Sequence, residues 1–188
     1  MPVLLHLNGP PGIGKSTLSA LYADRHPGTL NLDIDSLHPL VGGWREQTDL
    51  THHILRPVAL AMASTHLAGG RDVVLPQFLG RLDAIRAFEQ VALAQGALFR
   101  EVVLLDDRAE SIDRFHRRPD DSAWGVHNRD LVARHGGQAF LAEMYDRLLE
   151  VLPLRTSAVV IRSDVDAVES TYAALVQALS GLAADHDR

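Results

Sequence analysis

Short runs of apolar residues alternate along the whole chain with stretches in which apolar residues recur at helical spacing. Runs of the first kind fit buried strands, and stretches of the second fit amphipathic helices. Val3-Leu4-Leu5-His6-Leu7, closed by Asn8-Gly9-Pro10, predicts the first strand. Leu18, Leu21 and Tyr22 mark a helix that fades at His26-Pro27-Gly28. Thr29 to Ile34 predicts a second strand, and a polar stretch from His38 to Asp49 leads into a helix over about Thr51 to Leu67. Asp72 to Phe78, Phe99 to Leu105 and Ala158 to Arg162 predict three further strands. Between and after them fall helices marked by Leu82, Ile85 and Phe88, by a segment from near Arg108 to Pro119, by Phe140 to Leu152, and by Val165 to Leu179. The order is that of an α/β protein with a five-stranded, mainly parallel sheet.

Residues 117 to 137 break this rhythm, being polar and carrying Pro119, Gly125, Gly136 and Gly137. A stretch of that length inside a compact domain reads as a functional lid. No repeat or linker divides the chain, so one domain over residues 1–182 is expected, followed by a polar, frayed tail at 183–188.

Composition narrows the function classes. With 46% apolar and 22% charged residues over 188 positions, the chain has the balance of a folded domain with one sizeable core. The net charge of −6 argues against nucleic acid or an anionic membrane as partner. There is no cysteine, which excludes disulfides and thiolate metal sites. Without a leader pattern or an apolar run of membrane-spanning length, a cytoplasmic location is expected, with a small molecule as partner to a monomer or homodimer.

Between the first strand and its helix lies Gly9-Pro10-Pro11-Gly12-Ile13-Gly14-Lys15-Ser16, which satisfies G-x-x-x-x-G-K-[ST] in the required strand-to-helix context. Glycines let backbone N–H groups turn inward around phosphate oxygens, and the helix beginning near Lys15 adds its positive end. Lys15 is the only lysine among 18 basic residues, and its compact charge suits the β- and γ-phosphates better than a guanidinium. Ser16 offers Mg²⁺ a hydroxyl, and Thr17 completes the phosphate-binding set. The expected fold is therefore a three-layer P-loop NTPase fold, with ATP and Mg²⁺ as cofactors.

Other positions divide the P-loop classes. Neither D-x-x-G nor N-K-x-D, the strings a GTPase needs, is present. The third strand ends Val73-Val74-Leu75-Pro76-Gln77, without the acid expected of motor-like ATPases. The second ends Asp33-Ile34-Asp35-Ser36-Leu37, where a strand would put both carboxylates on one face at the ligand-binding end of the sheet. Asp35 reads either as a catalytic carboxylate or as a helix cap.

At these residues the chain resembles the small P-loop kinases. Asp33-x-Asp35 is similar to the D-x-D of shikimate- and gluconate-type kinases, and Ile34-Asp35-Ser36-Leu37 resembles chloramphenicol phosphotransferase. Val74-Leu75-Pro76-Gln77-Phe78-Leu79 resembles tunicamycin-resistance ATP-binding proteins, which also carry proline in place of the acid; Leu55-Arg56 stands where they have tryptophan-arginine. Arg114-x-x-x-Arg118 resembles the lid element of such kinases. The resemblance implies a nucleoside-kinase-like fold with a helical lid and transfer of a phosphoryl group from ATP to a hydroxyl of a metabolite or antibiotic. It implies Asp35 as base, Asp33 with Ser16 on Mg²⁺, and Arg114 and Arg118 over the γ-phosphate. Asp33, Asp35, Arg56 and Trp44 would contact the acceptor, and Arg162-Ser163-Asp164 the adenine. A sequestering resistance or sensor protein with little turnover is the other reading, motivated by the missing acid. A polynucleotide-end kinase is disfavoured by the acidic balance.

Overall fold

The computed structural model describes residues 1–117, 120–164 and 167–184. Five strands, β1 (Val3–Asn8), β2 (Leu30–Asn31), β3 (Val73–Leu75), β4 (Leu98–Leu105) and β5 (Val159–Arg162), form one sheet in the order β2-β3-β1-β4-β5. Every pairing is parallel. From β1 the chain passes to the edge strand β2, returns to β3 beside β1, then crosses to the other side for β4 and β5. The end of β1 is therefore a topological switch point, where the crevice of an open parallel sheet lies.

Alternation along the strands sends side chains to two cores. Leu4, Val73 and Leu75 meet α2 (Thr48–Ala68) and α3 (Leu82–Ala94) through Leu55, Ala59, Ala63, Ile85 and Phe88. Leu5, Leu7, Val74, Val102 and Leu104 meet α1 (Lys15–Arg25) and α7 (Val168–Ala184) through Leu18, Tyr22, Tyr172 and Leu175. Leu4, Leu7, Val73 and Leu175 are wholly buried, and burying an aliphatic side chain of this size contributes about 1.5–3 kcal/mol. The remaining helices, α4 (Arg108–Arg117), α5 (Ala123–Arg134) and α6 (Gln138–Val151), lie beyond the carboxyl ends of the strands or beside them.

Two expectations are corrected, the second strand and the end of the last helix. The second strand is two residues long, and Asp33 and Asp35 are not on it: Asp33 caps a 3-10 turn over Ile34–Leu40, its carboxylate accepting from the Asp35 N–H at 3.1 Å. Both carboxylates are acidic residues just after an apolar run, so the sequence reads as strand until the Asp33 side chain takes the backbone N–H and turns the chain. The segment expected as a lid is helical, as the resemblance implies: residues 123–134 form helix α5, opened by the Ser122 hydroxyl accepting from Gly125 N–H at 2.9 Å. Helix α7 runs through Ala184, two residues beyond the expected end of the domain. Residues 185–188 lie outside the described residues, as do Arg118 and Val165.

Candidate active site

The loop between β1 and α1 is shaped by what crowds it. A Cβ on Gly9 would lie 2.6 Å from the Leu104 carbonyl, and one on Gly12, at φ +83°, would lie 2.7 Å from the backbone of Phe115 in α4. Glycine alone fits such approaches, and it brings two neighbouring elements against the loop. Ile13 is fully buried and anchors the turn in the α1/α7 core. Gly14 stands at the start of α1 with no side-chain cap, leaving the first helical N–H groups directed at an incoming anion. Lys15 folds back over the loop, its Nζ donating to the Gly9 and Pro10 carbonyls at 2.9 Å each.

Two cavities meet at this loop. One, of about 340 Å³, is lined by Gly12, Ile13, Gly14, Thr17, Ser163, Asp164 and Thr171. The other, of about 550 Å³, contains Pro11, Gly12, Lys15, Ser16, Asp33 and Asp35, and is walled by Phe78, Phe115, Trp124, Phe140 and Met144. The second thus joins the phosphate-loop lysine and serine to both carboxylates, although the strand argument for those carboxylates fails.

Their electrostatics follow from burial. Burial first, and the like charge of Asp35 second, push the Asp33 carboxyl above its ordinary range; the Asp35 N–H and the Ser16 hydroxyl offset part of this. Burial also pushes Asp35 up, against the pull of the Gln77 amide, Lys15, His52 and the Trp124 indole. Gln77 Nε2 donates to Asp35 Oδ1 at 3.2 Å, so the segment after β3 supplies an amide where an acid was sought. A carboxylate raised in this way is a stronger proton acceptor than an exposed one.

The other residues proposed from sequence fall in different places. Arg114 lines the smaller cavity rather than the larger cleft. Its guanidinium is held by the Ser163 carbonyl, by the Ile13 carbonyl at 3.1 Å and by Asp106 at 3.3 Å, so it braces the phosphate loop from the side of the smaller cavity. Arg56 is exposed on α2 and lines neither cavity, because the inward face of that helix belongs to Thr51, Leu55, Ala59 and Ala63. Trp44 is buried outside both cavities. It packs edge-on to His127 at 4.9 Å and carries Arg45 over its ring at 4.4 Å. The tryptophan that does line the cleft is Trp124, stacked on His38 at 4.0 Å. Ser163 and Asp164 line the smaller cavity, and the Ser163 hydroxyl also bonds the Ile13 carbonyl at 3.0 Å.

Sequence reading missed Gln77, Phe78, Phe115, Phe140 and Met144 as cleft residues. Phe140 and Met144 carried only a helical stripe, which is also the signature of plain core packing. Gln77 carried a signal, a polar residue ending an apolar strand, that was read as an absence of acid.

A family model for the AAA domain matches residues 4–135. Among solved structures the chain is similar to APE1195, with TM-score 0.68 and 16% identity over 96% of each chain. It is similar to a gluconokinase from Sinorhizobium meliloti 1021, with TM-score 0.65 and 16% identity over 98% of this chain and 95% of that one. It is also similar to deoxyadenosine kinase from M. mycoides, solved with the products dCMP and a flexible dCDP, with TM-score 0.59 and 13% identity over 95% and 99%. No curated protein matches the chain. At these identities the likeness is one of fold, that of the small P-loop kinases.

Proposed function

The chain belongs to the AAA domain family, and from that premise we propose that it is an ATP- and Mg²⁺-dependent phosphotransferase acting on a hydroxyl of a small molecule, a metabolite or an antibiotic. The observation that carries this reading is the single cleft holding Lys15, Ser16, Asp33 and Asp35, set against a second cavity on the far side of the same loop. Two cavities meeting at a phosphate-binding loop are what a donor nucleotide and an acceptor require, whereas a simple nucleotide sensor needs one.

In this reading the nucleoside lies in the smaller cavity, and Lys15 with the loop N–H groups holds the phosphates. The Ser16 hydroxyl and Asp33 carboxylate, which line the same cavity, are hard oxygen donors of the kind Mg²⁺ takes alongside phosphates and water. When bound, the ion would neutralise charge developing on the β- and γ-oxygens. Asp35 accepts the proton of the acceptor hydroxyl as its oxygen bonds to the γ-phosphorus, and the bond from that phosphorus to the bridging oxygen breaks to release ADP. ATP as donor makes the cytoplasm the working compartment, with no nucleic acid or membrane as partner and a monomer or homodimer as the unit.

Asp35→Asn is expected to leave MgATP affinity within about twofold while lowering transfer by about 10²–10⁴-fold, as read by calorimetry and by ADP release. Equal loss of both would remove Asp35 from the role of base. Gln77 in place of an acid favours the second reading, a protein that sequesters its ligand with little turnover. A screen of hydroxylated metabolites and antibiotics with MgATP separates the two: a product heavier by one phosphoryl group supports transfer, and tight binding without product supports sequestration.

A further inference from the structure

Beneath the acceptor cleft runs a chain of buried charges that the proposed transfer does not use. Glu89 of α3 accepts both guanidinium branches of Arg155 at 2.9 and 3.0 Å. Arg155 Nε donates to Glu101 of β4 at 2.7 Å. Glu101 is the direct cross-strand partner of His6 on β1, and its Oε1 lies 3.5 Å from His6 Nδ1. His6 Nε2 lies 2.9 Å from the backbone carbonyl of Gln77, the residue whose side-chain amide holds Asp35.

His6 is wholly buried and Glu101 nearly so. Burial pushes the Glu101 carboxyl up, but His6 and Arg155 outweigh it and hold the group below its ordinary range. Among the described residues His6 Nε2 meets the Gln77 carbonyl, whereas Nδ1 faces Glu101 at 3.5 Å without a hydrogen bond, so the buried ions here are Glu101 and Arg155. Buried ions of this kind are expensive to desolvate and are poor devices for stability alone, since well-packed apolar residues do as well. Their direction is informative. Two residues along β1 and on the same face, Asn8 donates to the Leu79 carbonyl and accepts from the Leu79 N–H, each at 3.1 Å. His6 and Asn8 thus grip the segment after β3 at both ends of the turn that carries Gln77.

We propose that His6 and Glu101, anchored by Arg155, are positioning residues of the acceptor site: they fix the Gln77 backbone, and the Gln77 amide fixes the Asp35 carboxylate toward the cleft. The segment after β3 has no acid to hold itself in place by metal or charge, and a buried ion chain from β1 and β4 does so from below. This inference rests on the reading of Asp35 as the base, but its first test does not require turnover.

In ¹⁵N-labelled protein without ligand, the two Gln77 side-chain amide protons are expected to resonate far apart, one bonded to Asp35 and one not; Asp35→Ala assigns the pair by collapsing it. Glu101→Gln is expected to collapse the pair as well. Phosphoryl transfer, measured as ADP release with MgATP and an acceptor found in the screen above, should then fall about 10- to 100-fold in kcat. MgATP affinity should change by less than twofold. Should that variant not fold, the double variant H6Q/E101Q replaces both buried partners with neutral amides, and it should show the same two effects. An unchanged Gln77 amide pair in either folded variant would overturn the proposal, as would MgATP affinity falling in step with kcat. A collapsed pair in a protein that transfers nothing would support the positioning and count against the kinase reading instead.

Discussion

Lys15 is a residue whose identity and neighbours agree at every level. It is nearly buried, and its ammonium sits on two carbonyls of its own loop at a distance that phosphate oxygens would compete for. A guanidinium is planar, wider and fixed in its fork, so Lys15→Arg keeps the charge but cannot occupy that turn. Charge-assisted hydrogen bonds contribute about 1.5–3 kcal/mol, so the variant is expected to lose about 10- to 100-fold in MgATP affinity by calorimetry, with folding retained by circular dichroism. At this scale much was legible before the fold: the loop, its lysine and the two aspartates all carry type-specific chemistry in their side chains. Arg114 shows the limit, since its spacing with Arg118 is visible in sequence, but the partners that draw it to the Ile13 carbonyl come from positions up to 101 residues away.

Helix α5 illustrates what a local pattern leaves open. Its segment looks like a loop because only Gly125, His127 and Val132 on it are buried, too few to print a clear apolar stripe. The helix is held instead by rings. Trp124 stacks on His38, and His127 meets both Trp44 and the Thr48 hydroxyl, the latter at 2.8 Å. This clasp joins α5 to the 3-10 turn that carries Asp35. Trp124→Ala removes its central plate and is expected to lower the local opening energy of α5 by about 2 kcal/mol. Hydrogen exchange at residues 123–134 should quicken about 30-fold by that figure, while β1 and β4 amides keep their protection. Uniform acceleration across the sheet would show that the clasp supports the whole domain and not the lid alone. The α2 stripe shows the opposite case, for its inward positions were legible from periodicity, and the same periodicity places Arg56 on the outside.

Over the whole molecule, buried ionisable groups set how stability responds to pH. Burial, with His52 and His127 nearby, drives the His38 imidazole from 6.5 down to about 4. Below pH 6.5 the unfolded chain takes up this proton before the folded one, so the contribution of His38 is complete above 6.5 and is lost as pH falls toward 4. The full loss is at most about 3 kcal/mol. Asp33 and Asp35 act with the opposite sign, because burial raises both carboxyls and their ionisation as pH rises weakens the fold. Urea midpoints between pH 7 and 4 are expected to fall, and His38→Phe should flatten the slope, since neither ring nitrogen has a partner to lose. An unchanged slope in that variant would place the acid sensitivity elsewhere. What the sequence determined by itself is most of the elements and the phosphate loop: hydrophobic period and glycine spacing are local properties, written in consecutive residues. Only the tertiary structure decided that β1 lies at the centre of the sheet and that Asp33 leaves the strand. It also decided that Gln77 stands where an acid was sought, and that His6, Glu101 and Arg155 form one chain beneath it. Those facts depend on contacts between residues distant in sequence, and a buried polar side chain in an apolar strand does not name its partner until the strands are paired.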